Sequence, residues 1–518
     1  MANDAVPSLA QSRTDRTGRK LIALLLAYAM FGFWCSLHYR YTTDDAYITF
    51  RFAENLARGQ GLVYNPGDRV EGFSNPLWTL TLAGASSVGL STVVTAKVLG
   101  GLCGAALLLL GLGIATRIYP FPGMRSLVVL GPMAAMPALS LYAVGGLETI
   151  PYACLLAGAL YLAMGERWGP ALCLTGLAAW TRPEGFLLAA VFVFLAGLEA
   201  WRRPDLRRPV AVGAAVCVGL VGSLFAARYA YYGRLLPNTY YAKPYGVLTS
   251  MPATFVEEIA AFLAATGGPL CVAVLVAALA QRPLRRRLMP IIAALLVEVA
   301  VTIRAGGDWM PDFRFLAPVL VPTVAASVAL LLRYLHRSGA RIGVLAPALA
   351  VVWMCLGVGQ TINQLGRLHA GGWPEGLMNG ETQVEAGTWF GEHYPPPTTL
   401  AVMRIGAIGY CSGLRIVDTL GLVDRRIADI QHQAGNDHER AADASADEVL
   451  RRRPDLVVLC PQVPSAAAPS SYTEEDLDAV MSRIDRALMR RLRAGGYGFA
   501  FSLSQGRLGR LWVFERER

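Results

Sequence analysis

The 518-residue chain has few charged residues: Asp, Glu, Lys and Arg make up 16% of it, whereas hydrophobic residues make up 54%. Soluble domains average about 25% charged residues, so this composition argues against an ordinary soluble protein and points to a membrane. The formal net charge of +10 does not indicate a nucleic-acid partner. Its arginines fall in short clusters between apolar runs rather than on one soluble basic face.

The chain also lacks the motifs of several enzyme classes. It contains no HExxH, GxSxG or GxxxxGK[ST] sequence, and its six histidines include no paired set. These absences argue against metalloprotease, hydrolase and ATP-driven pump functions. The nine cysteines show no CxxC spacing, and seven lie in apolar stretches, where a cysteine is usually a small buried hydrophobe. Cys411 and Cys460 lie in the C-terminal part, and the sequence does not decide whether they form a disulfide.

Long apolar runs dominate the first two thirds of the chain and predict an α-helical polytopic membrane protein with about eleven transmembrane helices. The candidate spans are 21–38, 93–116, 124–142, 150–164, 168–181, 184–199, 210–228, 267–281, 288–303, 314–333 and 342–359.

Arginine-rich loops predict the orientation of these helices, because Lys and Arg concentrate in cytoplasmic loops. The clusters all fall on one side if the short apolar segment Pro76–Leu90 does not cross the membrane. Its length of about fifteen residues fits an interfacial or re-entrant helix better than a span. The expected location is the bacterial inner (plasma) membrane, with the N-terminus inside and the C-terminus outside.

Three regions follow from this topology: a cytoplasmic tail at 1–20, a membrane domain at 21–359 and an extracytoplasmic domain at 360–518. The first external loop, at 39–92, carries interfacial helices. The C-terminal region has a soluble pattern that predicts a small α/β domain, with a helix at 474–493 and surface loops at 441–447 and 464–471. Its predicted strands are 399–403, 415–419, 455–460, 498–503 and 511–515.

The first external loop opens with the adjacent acids Asp44 and Asp45, directly after a membrane helix. Ionisable groups at such a boundary are costly unless they are functional. A carboxylate here can act as a general base on a hydroxyl, and neighbouring acids raise one another's pKa. Asp44 is favoured as the base, while Asp45 has a structural alternative as the cap of an amphipathic helix from Ala46 to Arg58.

Two further external junctions carry charged residues. Glu148 follows two glycines and is either a first-turn acid favoured by the helix dipole or a carboxylate that faces a cavity. Arg182 and Glu184 separate two short helices, and a broken helix of this kind suits phosphate. Arg182 either binds phosphate oxygens or forms an internal pair with Glu184.

Two later segments add polar residues on the same side. The segment 231–243 combines four tyrosines, typical of a membrane-interface belt, with Asn238 and Lys243, which can bind sugar hydroxyls or phosphate. The segment 306–315 places Asp308 beside a tryptophan and ends in Arg314, close to the bilayer. The charge of Arg314 is balanced either by Asp308 or by a phosphate. This segment is therefore a candidate for one wall of a site that binds a phosphate-linked sugar donor.

These motifs, in this order, resemble the GT-C superfamily of integral-membrane glycosyltransferases that use polyprenyl-phosphate sugars. The stretch DDAYITFRFAENLARGQGLVYNPGDRVEGFSNPLW is similar to the first external loop of that superfamily, which carries its catalytic aspartate. The motifs GGLET, RPEG, YYGRLLPNTYYAK, GGDWMPDFRFLAP and VDTLGLVD resemble the branch that contains the mycobacterial terminal β-(1→2)-arabinofuranosyltransferase of cell-wall arabinan. The resemblance covers most of 30–320, together with 417–424.

The resemblance implies a GT-C-like fold and a sugar transfer, with arabinofuranose favoured, from a polyprenyl phosphate to a cell-envelope glycan outside the cell. It implies Asp44 or Asp45 as the base. It also implies a cavity lined by Glu148, Arg182, Lys243, Asp308 and Arg314. A divalent cation (Mg²⁺, Mn²⁺ or Ca²⁺) is allowed, with Asp44 and Glu148 as its ligands, but not required. A hexose such as mannose, or a transporter or flippase for a lipid-linked glycan, is the alternative.

Overall fold

The structure, a computed structural model, describes most of the chain. The described residues are 9–243, 256, 259–260, 262–263, 279–305, 310, 312–338, 348, 351–360, 362, 380–460, 481–504 and 510–517.

The first part of the chain is helical throughout, with short connections. Its helices are α1 (Leu9–His38), α2 (Asp44–Ala57), α3 (Pro76–Ser87), α4 (Thr92–Thr116), α5 (Leu127–Ala134), α6 (Pro137–Val144), α7 (Thr149–Met164), α8 (Trp168–Thr181), α9 (Glu184–Arg202), α10 (Arg207–Tyr232), α11 (Asn238–Ala242), α12 (Arg282–Ala305), α13 (Ala317–Arg337) and α14 (Val351–Gln360).

Six of the described helices are long and apolar enough to cross a membrane, and a seventh span results if the bent pair Gly123–Ala134 and Pro137–Val144 is counted as one. The predicted class of α-helical polytopic membrane protein is therefore confirmed. The predicted number of about eleven spans stays a prediction, because most of 267–281 and much of 342–359 lie outside the described residues.

The segment that was expected not to cross the membrane forms the short helix α3. Its 12 residues extend about 18 Å, well below the hydrocarbon thickness of about 30 Å. Pro76 lies in its first turn, where a missing backbone N–H costs nothing. Its length therefore agrees with an interfacial or re-entrant position.

Glycines let several of these helices pack backbone against backbone. A Cβ at Gly100 in α4 would lie 2.1 Å from the carbonyl oxygen of Ala143, and one at Gly213 in α10 would lie 2.5 Å from that of Gly169. A Cβ at Gly185, which follows the break between α8 and α9, would lie 2.4 Å from the Ala178 carbonyl. Such close contacts are typical of helix packing in membranes, where small residues replace the hydrophobic driving force.

The C-terminal region contains a five-stranded sheet covered by helices, as predicted for an α/β domain. Its elements are α15 (Gly380–His393), β1 (Thr399–Val402), α16 (Gly406–Ser412), β2 (Arg415–Asp418), α17 (Arg425–Ala434), α18 (His438–Arg451), β3 (Leu456–Leu459), α19 (Arg483–Leu492), β4 (Tyr497–Ser504) and β5 (Arg510–Arg516). The strand order is β2-β1-β3-β5-β4, in which β1 pairs in parallel with β2 and β3, and β5 pairs antiparallel with β3 and β4.

Each predicted strand corresponds to an observed strand, but one predicted loop is wrong. Residues 441–447 lie inside helix α18, because Ala441, Ala442 and Ala446 turn a small apolar face to the core while charged residues face outward. Asp437 begins this helix by accepting a hydrogen bond from the N–H of Arg440. The predicted loop at 464–471 lies outside the described residues. Cys411 and Cys460 are unpaired, which closes the disulfide question.

Candidate active site

The acid pair stands at the first turn of α2, held in place by two backbone anchors. Thr43 is the N-cap residue, so the helix begins at Asp44 and not, as expected, with Asp45 as the cap. The N–H of Thr43 donates to the Gly145 carbonyl at 3.0 Å. Lys97 of α4 donates to the carbonyls of Tyr39, Tyr41 and Val144 at 2.7–2.9 Å. The segment leading into α2 is thereby tied to the ends of α1 and α6.

Asp44 is buried against the C-terminal domain. Its carboxylate accepts a hydrogen bond from the N–H of Ala407 at 2.8 Å, in the first turn of α16. A Cβ at Gly406 would lie 2.0 Å from the Asp44 carbonyl oxygen and 2.6 Å from its carboxyl group, so only glycine fits there. Burial raises the pKa of Asp44 to about 6, opposed by the hydrogen bond from Ala407 and assisted by the charge of Asp45.

The same helix of the C-terminal domain is fixed to α2 by a buried guanidinium. Arg51 donates to the carbonyls of Tyr64 at 2.9 Å, Leu414 at 2.7 Å and Gly409. The Asn65 side chain donates to the Ile416 carbonyl at 2.8 Å and accepts from its N–H at 3.1 Å. These two bonds cover the edge strand β2, so the loop between α2 and α3 and the sheet form one continuous structure.

Asp45, in contrast, is partly exposed and faces a different set of groups. The hydroxyl of Tyr41 lies within electrostatic reach of Asp45, Asp312 and Arg314. Asp312 and Phe313 adopt positive φ values of 55° and 45°, which mark a tight turn immediately before Arg314. Asp45 and the predicted Arg314 therefore both act on the Tyr41 hydroxyl.

Glu148, Arg182 and Glu184 form one buried network where α7 begins and α8 is followed by α9. Arg182 donates through Nε to Glu184 at 2.7 Å, and its Nη1 lies 3.3 Å from Glu148. The other oxygen of Glu148 accepts from the Asn75 amide at 2.6 Å. Arg182 thus has two carboxylate partners, as in the internal-pair interpretation. Its predicted role in binding phosphate stays a prediction.

This network continues toward the Arg314 turn and into the helix bundle. The Arg182 guanidinium lies over the Phe315 ring, 5.7 Å from its centroid, and Phe315 is the neighbour of Arg314 in the chain. The hydroxyl of Tyr152 donates to Glu298 of α12 at 2.8 Å. The second carboxylate oxygen of Glu298 has no hydrogen-bond partner within the described part of the chain. Glu298 is fully buried.

Asn238 lies apart from the acid pair. Its amide donates to the carbonyls of Gly421, Leu422 and Asp424 at 2.7–3.2 Å and accepts from Arg234, so it holds the loop of the VDTLGLVD motif. The predicted sugar-binding role of Asn238 stays a prediction, and its contacts are those of a structural anchor. Lys243 follows α11 and is exposed. Asp308 lies outside the described residues.

Several functional candidates had no motif in the sequence. Lys97, Arg228 and Glu298 are buried ionisable residues within apolar helices. In the sequence, their position within apolar runs was the one sign of importance, because ionisable residues are rare there unless they are paired or functional. Glu71 pairs with Arg228 at 2.9 Å rather than with Arg69, whose guanidinium lies over the Tyr231 ring.

The described residues do not present a metal site. No group of three His, Cys, Asp or Glu side chains among them converges in a way that would hold an ion. Asp44 and Glu148, the predicted ligands, are hydrogen-bonded to a backbone N–H and to an amide and a guanidinium respectively. The divalent cation stays a prediction, and no catalytic step is derived through it.

Two solved structures share this architecture. An ArnT from Cupriavidus metallidurans, bound to undecaprenyl phosphate, superimposes over 96% of this chain and 98% of its own, with a TM-score of 0.55 and 13% identity. An oligosaccharyltransferase from Archaeoglobus fulgidus, tethered with an acceptor peptide, covers 95% of this chain and 74% of its own, with a TM-score of 0.54. At 13% identity these likenesses show a common fold.

Sequence comparison gives a more specific likeness over a shorter range. The terminal β-(1→2)-arabinofuranosyltransferase of Mycobacterium tuberculosis is 29% identical over 244 residues, which cover 41% of this chain. The match spans 36% of that relative's length, about a third. Residues 376–501 match a domain of unknown function, DUF8728. The resemblance to GT-C glycosyltransferases, and to their arabinofuranosyltransferases, is thereby confirmed.

Proposed function

We propose that this GT-C-like membrane protein transfers a sugar, with arabinofuranose favoured, from a polyprenyl phosphate to a cell-envelope glycan on the extracytoplasmic side. The observation that carries the proposal is that the two adjacent acids have different environments. Asp44 is fixed to the C-terminal domain, whereas Asp45 is partly exposed and, like Arg314, within electrostatic reach of the Tyr41 hydroxyl. The shared fold with an undecaprenyl-phosphate-bound ArnT and the sequence likeness to an arabinofuranosyltransferase support the substrate class.

Asp45 acts as the general base in this mechanism, in place of the Asp44 favoured by the sequence alone. The acceptor hydroxyl loses its proton to Asp45 while its oxygen bonds to the anomeric carbon of the donor. The bond between that carbon and the phosphate oxygen breaks, and its electron pair leaves with the polyprenyl phosphate. A partly exposed carboxylate can meet an incoming hydroxyl, which the buried Asp44 cannot do.

Arg314 stabilises the charge that develops on the departing phosphate, because a guanidinium matches the geometry of phosphate oxygens. Lys243, which is exposed, provides a second positive charge for the lipid phosphate. Arg182, held between Glu148 and Glu184, keeps the external helix ends and the Phe315 ring in position. The C-terminal domain contacts Asp44 and is our candidate for holding the acceptor glycan.

Purified protein incubated with polyprenyl-phosphate sugars tests the proposal directly. Donors that carry arabinofuranose and mannose are supplied separately with a cell-envelope glycan acceptor, and both the glycan product and the free polyprenyl phosphate are measured. The expected result is product from the arabinofuranose donor, with stoichiometric release of lipid phosphate. Asp45→Asn is the inactive control.

Each other outcome has a definite meaning. Product from the mannose donor alone would replace the sugar but keep the reaction class. Movement of intact lipid-linked sugar across vesicles, with no product from any donor, would overturn the transferase and favour the flippase. Equal activity of the parent protein and Asp45→Asn would remove Asp45 from its role.

A further inference from the structure

An apolar groove lies at the end of the helix bundle opposite the acid pair. It has a volume of about 670 Å³, within the roughly 300–1,000 Å³ of ligand pockets. It is open to the surface and lined by α7, α8 and α10, with side chains that include Leu162, Cys173, Leu174 and Val212. Among the described residues that line it, Arg208 is the one that carries a charge.

The sequence shapes this groove through residues of unequal size. Gly169 of α8 and Gly213 of α10 bring the two backbones together, since a Cβ at Gly213 would lie 2.5 Å from the Gly169 carbonyl. The larger Cys173 and Val212 stand on either side of this contact, and Val212 is 59% exposed. An apolar trough on the outer surface of a membrane bundle is open to lipid chains.

The mouth of the groove carries unbalanced positive charge. Arg202 and Arg203, in the same loop, are neutralised by Glu199, Glu166 and Asp205. Arg207 and Arg208 are exposed, and neither guanidinium forms an ion pair or hydrogen bond with any residue that the structure describes.

These two arginines begin helix α10, directly after a 3-10 turn at Pro204–Leu206, and the N–H of Arg207 donates to the Pro204 carbonyl. Two guanidinium groups without carboxylate partners favour a phosphate, because their charge and donor geometry match its oxygens. The nearby Trp201 is 75% exposed, as is typical of a residue at the headgroup level of a bilayer.

We propose that this groove binds an anionic phospholipid of the surrounding membrane. One acyl chain lies against Cys173 and Val212, and the headgroup phosphate contacts Arg207 and Arg208 at the start of α10. Basic pockets between helices on the cytoplasmic side are a known mode of anionic lipid recognition. The site is separate from the acid pair, so it does not depend on the proposed transferase activity.

Native mass spectrometry of the full-length protein in detergent tests the site. Phosphatidylglycerol and phosphatidylcholine of equal chain length are titrated separately, so that the two lipids differ in headgroup charge. We expect the parent protein to bind phosphatidylglycerol at least fivefold more tightly. The double variant Arg207→Gln, Arg208→Gln should reduce this preference to less than twofold.

Two further variants keep the test decisive. A second double variant, Arg285→Gln, Arg286→Gln, removes the same charge from exposed positions at the start of α12, away from the groove. It should keep the preference for phosphatidylglycerol. Cys173→Trp fills the groove and should weaken binding of both lipids. Melting temperatures of all variants confirm that each is folded.

The proposal is overturned if both double variants lose the preference equally, which would indicate bulk electrostatics. It is also overturned if Arg207→Gln, Arg208→Gln binds phosphatidylglycerol as the parent does. Displacement of phosphatidylglycerol by an equal concentration of undecaprenyl phosphate would assign the groove to the donor lipid instead.

Discussion

At the residue scale, the two adjacent aspartates have opposite environments and should respond differently to substitution. Asp45→Asn removes the partly exposed carboxylate that we assign as the base. Loss of a general base typically lowers the rate by about 10²–10⁴-fold, so we expect transfer to fall at least about 100-fold with an unchanged melting temperature. Initial rates with the radiolabelled arabinofuranose donor measure this effect.

Asp44→Ala is the informative comparison for Asp45→Asn. It leaves the buried N–H of Ala407 without its acceptor, which costs about 1–3 kcal/mol of stability. The melting temperature should therefore fall together with the activity. If Asp44→Asn retained full stability but lost all transfer while Asp45→Asn stayed active, the two roles would have to be exchanged.

Three buried carboxyls also predict how stability depends on pH. Burial raises the pKa of Asp44 and of Asp485 to about 6, and that of Asp418 to about 7. These groups bind protons more tightly in the folded chain than in the unfolded one, where an Asp titrates near about 3.9. Their contribution to stability is therefore fully present below about pH 4 and is lost as the pH rises through about 6–7.

Asp485→Asn tests this dependence at the best-suited position. One Asp485 oxygen accepts from the N–H of Cys460, and the other has no partner among the described residues, so an amide can replace the carboxyl there. We expect the fall in melting temperature between pH 5 and pH 7.5 to become smaller in this variant. Asp447→Asn, at an exposed carboxylate of α18, should leave the fall unchanged. A fall of the same size in all three proteins would refute the assignment.

At the element scale, the contact between α2 and α16 depends on the absence of a side chain at Gly406. Gly406→Ala would place a Cβ 2.0 Å from the Asp44 carbonyl oxygen, and overpacking of this kind typically costs about 1–3 kcal/mol. Because the displaced residue is the neighbour of Asp45, we expect transfer to fall at least tenfold. Transfer rates and melting temperatures of the purified variant measure both effects.

Gly498→Ala is the matched control within the same domain. Its nearest neighbour would be the end of the flexible Glu517 side chain at 3.2 Å, which can move aside. We expect its activity to stay within twofold of the parent. Equal losses in both variants would mean that the domain responds to any added methyl group and not to the contact with Asp44.

At the scale of the whole molecule, the proposed topology places Lys243 outside the cell and Arg286 inside. Cysteines introduced at these exposed positions, in a Cys355→Ser background, can be treated with a membrane-impermeant maleimide. We expect Lys243→Cys to react in intact spheroplasts and Arg286→Cys to react only after permeabilisation. Labelling of both from the same side would contradict the topology.

The sequence was sufficient for features that depend on local patterns. The strands around Val402 and Val458 were predictable because short apolar runs end in turn residues. The pair of Arg182 with Glu184 was one of two alternatives that the sequence left open. The position of Asp44 was not predictable, because its partner Ala407 lies 363 residues away in the chain. Helix α18 was missed because its apolar face consists mainly of alanine, which gives a weak periodic signal.

The hydrogen bonds that join Arg51 and Asn65 to the segment around β2 have a consequence for biosynthesis. Arg51 reaches Leu414, and Asn65 reaches Ile416, across more than 340 residues of intervening chain. A nascent polypeptide therefore carries its acid pair into the membrane long before the segment that fixes it has left the ribosome. Under the proposed function, a chain without the sheet has no organised catalytic centre, so lipid-linked sugar is not consumed until the domain that carries the sheet has been exported.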